Sequence, residues 1–464
     1  MLKGTMKIEL TDVHTGKTET VLEQNMVTNQ LSNIFRHMGY CKDPDKLLTD
    51  WAPHYKTLLG GLLLFDTPIE EEPDMVYPPA EANLVGCAVY NMQNSTTNTV
   101  RGGYNATESE LNTANGYMKY VYDFTTAQAN GTIACACLTH VNAGYSGYGG
   151  KDVANLSSTP VLGLSIDTGA MQYVYTSYTG GTTGDHYSGI TIGTTEILFL
   201  IDPENDCAYY FRLNSATGIT IVKRRAQMRS ISVLSSPRTT KPILESFTLS
   251  LNTSIPTSYL SWNFDPATNA LYICGSSASY KAANTSFLIT KIAFETWTVT
   301  QYNMSNTTGV QITTNGTRFC FCHDGFAYVK SYNSPYEVYK LEIGNAANVT
   351  KMNRNGFTVS GYPIFAINGR VYYESYDDQL RIVNSHNNEV LSTEAIRICS
   401  GDRYQASYTP IRNDKSLFYV SAGNYTTYGF CIMTNYLATI NNLAEPVTKT
   451  ADKTMKVTYI IQEQ

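Results

Sequence analysis

Charged residues are scarce in this sequence. They make up 16% of its 464 residues, whereas soluble globular domains usually contain roughly 25%. Lysine and arginine form no cluster, and the formal net charge is −6. Because a nucleic-acid-binding protein needs a basic surface to neutralise phosphates, this composition excludes nucleic acid as a partner.

Long apolar segments are also absent. No apolar run is long enough to cross a bilayer as a helix, so we expect no membrane partner. The first ten residues lack the apolar stretch of a secretory signal. We therefore predict a protein that is made in a cytoplasm and leaves it by lysis or as part of a larger assembly.

Metal-binding spacings are missing as well. The ten cysteines include no C-x-x-C pair, and the seven histidines form neither H-E-x-x-H nor H-x-H. Cys135/Cys137 and Cys320/Cys322 are C-x-C pairs in apolar runs, and residues i and i+2 of a strand share one face. We interpret them as small core residues in a reduced compartment, in preference to disulfides or metal ligands. The prediction is no cofactor and no metal site.

The sequence is instead rich in strand-forming and turn-forming residues, with 35 tyrosines and 33 glycines. From about residue 155 a unit recurs: a strand, a turn rich in Asp, Asn or Gly, a second strand with a tyrosine, and a polar loop. The six marker tyrosines of these units are Tyr173, Tyr209, Tyr272, Tyr328, Tyr372 and Tyr419.

Further apolar strands follow each marker, which gives four antiparallel strands per unit. This number and the spacing of the markers are typical of propeller blades, so we predict a β-propeller-like domain of about 5–7 blades at residues 155–440. A string of β-sandwiches is the alternative architecture. It explains the hairpins but not the constant order of turn and tyrosine.

The two ends of the chain predict a second domain. Residues 6–24 alternate as a hairpin, and the strand at 454–461 continues none of the repeated units. We expect that last strand to pair with the N-terminal region. Residues 1–150 plus 445–464 would then form a jelly-roll-like β-sandwich with the propeller inserted, and the whole protein would be all-β.

Catalytic patterns are weak. Ser165-Ile-Asp-Thr-Gly169 resembles the start of the Asp-box turn of sialidases, but the aromatic residue comes one place late, at Tyr173. Glu374, Asp377 and Asp378 are the only carboxylates in a loop near a blade rim that suggest the paired carboxylates of a glycosidase. A solvated loop is the better interpretation of these three, and we predict no enzymatic activity.

Binding fits the loops that follow the marker strands, because they are rich in Tyr, Ser, Asn and Gly. Tyrosine offers a flat, rigid contact at low entropy cost, while serine and asparagine offer adaptable hydrogen bonds. If the blades are equivalent, these loops converge on one rim. The predicted binding residues are Tyr280, Tyr332, Tyr336, Tyr376, Tyr425 and Tyr428. The alternative is that these tyrosines only reflect the composition of a sturdy β surface.

Several stretches resemble structural proteins of phages and prophages of Firmicutes. They are Met6-Lys-Ile-Glu-Leu-Thr-Asp-Val-His-Thr-Gly16, Asn25-Met-Val-Thr-Asn29, Gly60-Gly-Leu-Leu-Leu-Phe-Asp66, residues 122–133 and residues 446–461. The resemblance implies a virion component that carries no catalytic residue. The N-terminal domain would attach to other virion proteins, the propeller would bind a host cell-wall glycan, and the protein would be a homo-oligomer.

The position on the particle leaves alternatives open. A tail or baseplate appendage with a receptor-binding propeller is the hypothesis we favour. A head or collar decoration protein without a receptor is a second one. A virion-associated glycan hydrolase or lyase is the alternative from another functional class.

Overall fold

The computed structural model describes most of the chain in two compact units. One unit draws on Met1–Arg36, Pro44–Pro160 and Thr434–Gln464, and the other on His37–Asp43 and Val161–Met433. The described residues are 2–31, 59–75, 78, 82–94, 99–112, 116–139, 162–164, 192–193, 196–202, 204–205, 207–225, 242–277, 286–305, 319–331, 336–367, 369–374, 380–392, 407–410, 412, 418–422, 429–432 and 437–463. Among them no helix has the length and apolar character needed to span a membrane.

The first unit is built on one sheet of ten strands, numbered here in chain order across both units. They are β1 (Leu2–Asp12), β2 (Thr18–Val27), β3 (Gly61–Phe65), β4 (Leu84–Ala88), β5 (Arg101–Tyr104), β6 (Glu110–Asn112), β7 (Tyr117–Phe124), β8 (Gly131–Thr139), β29 (Thr439–Lys449) and β30 (Lys453–Glu463). The strand order is β30-β1-β2-β29-β8-β3-β4-β5-β7-β6, and β30 also pairs with β7. The sheet is therefore nearly closed on itself, which leaves few unpaired edges.

The terminal strand lies in this sheet, beside the N-terminal hairpin. β30 pairs with β1 from Leu2↔Glu463 to Asp12↔Lys453. The hairpin of β1 and β2 turns where the Asp12 carboxylate accepts hydrogen bonds from the backbone N–H groups of His14 (2.9 Å) and Thr15 (2.7 Å). A short-range turn thus fixes the register of the hairpin, and the returning C-terminal strand covers its outer edge.

The second unit contains five four-stranded antiparallel sheets among its described residues. Sheet one has β10 (Ile197–Asp202), β11 (Cys207–Ser215), β12 (Gly218–Arg225) and β13 (Ile243–Ser250). Sheet two has β14 (Tyr259–Asp265), β15 (Ala270–Ser276), β16 (Ser286–Ala293) and β17 (Val299–Ser305). Sheet three has β18 (Cys320–His323), β19 (Phe326–Lys330), β20 (Val338–Glu342) and β21 (Asn345–Lys351). Sheet four has β22 (Pro363–Ile367), β23 (Arg370–Glu374), β24 (Leu380–Asn384) and β25 (Glu389–Ser392). Sheet five has β26 (Ser407–Pro410), β27 (Phe418–Ala422), β28 (Gly429–Ile432) and β9 (Leu162–Leu164).

The first strands of these sheets contact one another in sequence. β10 contacts β14, β14 contacts β18, β18 contacts β22, β22 contacts β26, and β26 contacts β10. The contacts between first strands therefore form a closed ring, in which sheet five meets sheet one. Facing sheets bury mixed aromatic and aliphatic clusters, such as Phe199, Phe211, Trp262 and Phe264 between sheets one and two.

The marker tyrosines occupy one position in this plan. Tyr209, Tyr272, Tyr328, Tyr372 and Tyr419 all lie in the second strand of a sheet. The sixth, Tyr173, lies outside the described residues.

The prediction for the first repeat was wrong in one respect. In the sequence, the unit of Tyr173 begins with an apolar segment at 161–166, which predicts the first strand of a separate sheet. In the structure, residues 162–164 of this segment form β9, which pairs with β28 as the fourth strand of sheet five. A three-residue strand carries no local pattern that tells an inner position from an outer one, so pairing across the ring decides its place.

Directional hydrogen bonds join neighbouring sheets where their first strands end. Asp265 Oδ1 at the end of β14 lies 2.7 Å from Nδ1 of His323 at the end of β18. The backbone N–H of Gly369, before β23, donates to Nε2 of the same histidine (2.9 Å). Nε2 is therefore the unprotonated nitrogen, and Nδ1–H donates to the Asp265 carboxylate. One imidazole thus links sheets two, three and four.

A second link joins the last sheet to the first. The Arg412 guanidinium, just after β26, donates to Asp202 Oδ2 (2.7 Å) at the end of β10 and also pairs with Glu295. The backbone N–H of Arg412 donates to the Ile201 carbonyl (2.8 Å). The equivalent strand end in sheet one is thus held by sheet five.

We expect Asp265→Asn to destabilise the second unit by about 3 kcal/mol at neutral pH, because it removes a buried charge and leaves only one oxygen to accept from His323, Thr268 and the Asp324 N–H. Burial opposes the charge of Asp265, but His323, Thr268 and the Asp324 N–H outweigh burial and lower its pKa below 3.8. A carboxyl with a lowered folded-state pKa contributes stability above its unfolded pKa and loses it as pH falls through the folded pKa.

Urea unfolding of wild type and variant between pH 7 and pH 3 measures this effect. The difference in unfolding free energy should shrink as the pH falls below about 4. Glu245→Gln, at an exposed position of β13, is the control and should leave stability within about 0.5 kcal/mol of wild type. A difference that does not change with pH would contradict the assignment.

Candidate ligand-binding site

Of the six predicted binding tyrosines, the structure describes Tyr336. Tyr280, Tyr332, Tyr376, Tyr425 and Tyr428 lie outside the described residues. Tyr336 is half-buried in the segment that joins β19 to β20. In sheets two, four and five, the predicted loops also join the second strand to the third.

The ends of this loop are tied together by two hydrogen bonds. The Ser331 N–H donates to the Glu337 carbonyl (2.7 Å), and the Glu337 N–H donates to Ser331 Oγ (2.8 Å). Because both bonds lie at the base of the loop, they restrain the backbone next to Tyr336.

The Lys330 ammonium holds the ring of Tyr336 against a neighbouring segment. Nζ lies 4.7 Å from the ring centroid of Tyr336 and 5.2 Å from that of Tyr362. It also donates to the carbonyls of Ser360 (3.1 Å) and Gly361 (2.9 Å). One cation therefore joins the loop of sheet three to the connection between β21 and β22, and it contacts the rings of two half-buried tyrosines.

The same connection is held from its other side by sheet four. The Arg381 guanidinium, on β24, lies 5.5 Å from the ring centroid of Phe357, and its Nε donates to the Thr358 carbonyl (3.2 Å). Val359 between these contacts is fully buried. Residues 357–362 lack regular secondary structure. The carbonyls of Thr358, Ser360 and Gly361 accept hydrogen bonds from Arg381 and Lys330 in place of the partners that a sheet would provide.

A charged pair lies next to Tyr336. Glu337 Oε2 accepts a hydrogen bond from the Tyr339 hydroxyl (2.7 Å), and Glu337 Oε1 lies 2.6 Å from Lys351 Nζ. The Lys351 contact is the main reason that the pKa of Glu337 is lowered. Glu337 is therefore an ionised hydrogen-bond acceptor that is paired with Tyr339 and Lys351.

The Tyr336 site has one described carboxylate, that of Glu337. General acid/base cleavage of a glycoside needs a second carboxyl group facing the first across the substrate. Of the carboxylates considered from the sequence, Asp377 and Asp378 lie outside the described residues, and Glu374 lies in β23 with no described side chain. Among the described residues, the Tyr336 site offers rings, one carboxylate and cations that are already engaged.

Sequence reasoning missed Lys330 and Tyr362. Lys330 ends a marker strand, in Phe-Ala-Tyr-Val-Lys330, and this is the one local signal that could have found it. Tyr362 belongs to an irregular connection that no repeat marks. Their meeting depends on the packing of the β21–β22 connection under sheet three, which no spacing in the sequence encodes.

Comparisons with known proteins leave the function open. No protein-family model matches the chain, and no curated protein matches it.

Solved structures give weak similarities. The β-propeller domain of the Trilobed protease from Pyrococcus furiosus is 9% identical with a TM-score of 0.25, over 75% of this chain and 95% of that one. The computationally designed Ika8 protein is 10% identical with a TM-score of 0.26, over 53% and 74% of the two chains. An uncharacterized protein of Listeria monocytogenes is 8% identical with a TM-score of 0.21, over 53% and 81%. Similarities at these TM-scores carry no argument about function.

We expect the Lys330 ammonium to titrate well below an ordinary lysine, because burial lowers the pKa of Lys330 to about 8. The measurement is an NMR titration of the lysine ε-carbons, with Lys330→Arg identifying the signal by its loss. The reference is the ordinary lysine value of about 10.4. A Lys330 midpoint near about 10.4 would show that the ammonium is not buried.

Proposed function

We propose that this protein is a non-enzymatic binding component of a phage particle and that its second unit is a five-bladed propeller that binds a host cell-surface glycan. The observation that carries the binding proposal is the pair of tyrosines, Tyr336 and Tyr362, that contact the Lys330 ammonium. Tyr336 lies between the second and third strands of its sheet, where the sequence places the Tyr-rich loops of sheets two, four and five. The five four-stranded sheets and the contact of β26 with β10 support the propeller.

A neutral glycan is the ligand that this surface suits best. Sugar rings present C–H groups that pack on aromatic faces, and hydroxyl groups that pair with amides and carboxylates. The lysines at the site are already engaged with rings, carbonyls or Glu337. An anionic ligand would have to compete for those cations, whereas a neutral one would not.

The position on a particle rests on the resemblance to phage structural proteins given above. In this proposal the first unit, predicted as a jelly-roll-like sandwich, attaches to other virion proteins, and the protein assembles as a homo-oligomer on a tail or baseplate. Its nearly closed sheet supports an attachment role because it leaves few strand edges open to unwanted pairing.

We expect Tyr336→Ala to weaken binding of the purified full chain to host cell walls at least tenfold. Aromatic residues at the centre of a binding surface typically contribute about 2 kcal/mol or more to the binding free energy. Tyr302→Ala is the matched control, since Tyr302 is also a half-buried tyrosine of the second unit. It should bind as wild type does. Binding is measured by pull-down on cell walls and on a glycan array.

Two results would overturn the proposal. Equal binding by wild type and Tyr336→Ala would remove Tyr336 from the site. Release of reducing sugar from cell walls would show that the protein cleaves the glycan, as a hydrolase or lyase does, and does not only bind it. Immunogold labelling of particles tests the location, and label on the head or collar would contradict the tail assignment.

A further inference from the structure

Three cysteines from two sheets meet in the core of the second unit. Cys274 lies on β15 of sheet two, and Cys320 and Cys322 lie on β18 of sheet three. Their sulfur atoms all lie within 4.8 Å of one another, and those of Cys274 and Cys322 are 3.7 Å apart. All three side chains are buried. The C-x-C pair that the sequence assigned to the core thus acquires a third thiol from the facing sheet.

A second observation separates this cluster from ordinary core packing. Ser261, on β14, pairs directly with Cys274 and is almost fully buried. Its hydroxyl has no oxygen or nitrogen partner among the described residues. A buried hydroxyl without such a partner is costly, and here it lies beside a sulfur that gains from a hydrogen bond when it is ionised.

We propose that Cys274, Cys320 and Cys322 form a three-coordinate site for Cu(I). An ion at the centre of an equilateral triangle with sides of 3.7 to 4.8 Å lies about 2.1 to 2.8 Å from each corner, which brackets the metal–sulfur distance of about 2.3 Å known for thiolate sites. Soft thiolate ligands in a dry pocket select Cu(I).

Zinc fits the same cluster less well. Structural zinc sites have four ligands, and the described residues place no histidine or carboxylate in this group. The surroundings are apolar, with Phe287, Ile289 and Met304 in the same cluster. Cu(I) with two thiolates and one retained thiol releases two protons and leaves one net negative charge, less charge than three thiolates would bury.

The metal would cross-link sheets two and three. Asn263 already joins these sheets, since its side chain donates to the Cys322 carbonyl (2.7 Å) and accepts from the Cys322 N–H (2.9 Å). That pair fixes Cys322 opposite Cys274, so the site is formed only when the two sheets have packed. We therefore expect loading during folding and a higher Tm for the loaded protein.

The experiment refolds the reduced full chain with Cu(I) alone, in competition with a chromogenic Cu(I) chelator. Wild type should retain about one equivalent per chain, and Cys274→Ala and Cys320→Ala should each lose at least tenfold in affinity. The double variant Cys135→Ala/Cys137→Ala is the matched control, because that buried C-x-C pair in the other unit also has sulfurs 3.7 Å apart. It should bind as wild type does.

X-ray absorption of the loaded wild type provides a readout that needs no variant. We expect three sulfur neighbours at about 2.3 Å and no nitrogen or oxygen ligand. Failure of wild type to retain Cu(I), retention that survives Cys274→Ala, or a two-sulfur spectrum would each overturn the proposal. Retention of Zn(II) in place of Cu(I) would overturn the assignment of the metal.

Discussion

The second unit depends on the hydrogen bonds that leave the end of one sheet's first strand and reach the next sheet. Apolar faces between sheets supply most of the burial, but apolar contact has no direction and allows sheets to slide or rotate. Asp265, His323 and Gly369 form a chain of two buried bonds across three sheets. Arg412 and Asp202 do the same where sheet five meets sheet one. These bonds fix the angle between neighbours.

These bonds fix the ends of the first strands. The connections between sheets are then free to differ from one another in length and conformation. The β21–β22 connection packs one buried valine, Val359, and takes hydrogen bonds from Lys330 and Arg381. Rigid placement of irregular backbone is what a binding surface requires, because a ligand then does not have to order the loop itself. Lys330, which accepts no hydrogen bond but donates to this backbone, also contacts the rings of Tyr336 and Tyr362.

The sequence predicted regular features well and tertiary meetings poorly. Alternation and turn chemistry placed the β1–β2 hairpin, and the recurring tyrosine marked the second strand in each of the five described sheets. The pairing of β9 with β28 in sheet five could not be predicted, because no local sequence pattern marks it. Lys330 and Tyr362 were missed because the two residues lie on separate elements of the chain. Cys274 was missed as a neighbour of Cys322 for the same reason.

The recurring tyrosine has a structural explanation that separates it from ligand chemistry. The Tyr272 hydroxyl lies 3.0 Å from Thr268 Oγ1. The Thr268 hydroxyl in turn donates to Asp265 Oδ2 (2.8 Å). Asp265 in turn accepts from His323 of the next sheet. In sheet two, the marker tyrosine is thus the first member of a hydrogen-bonded chain that ends on a neighbour. A side chain committed to joining sheets is not available to a ligand, so in the proposed function specificity comes from residues outside this chain of bonds, such as Tyr336, Tyr362 and Glu337.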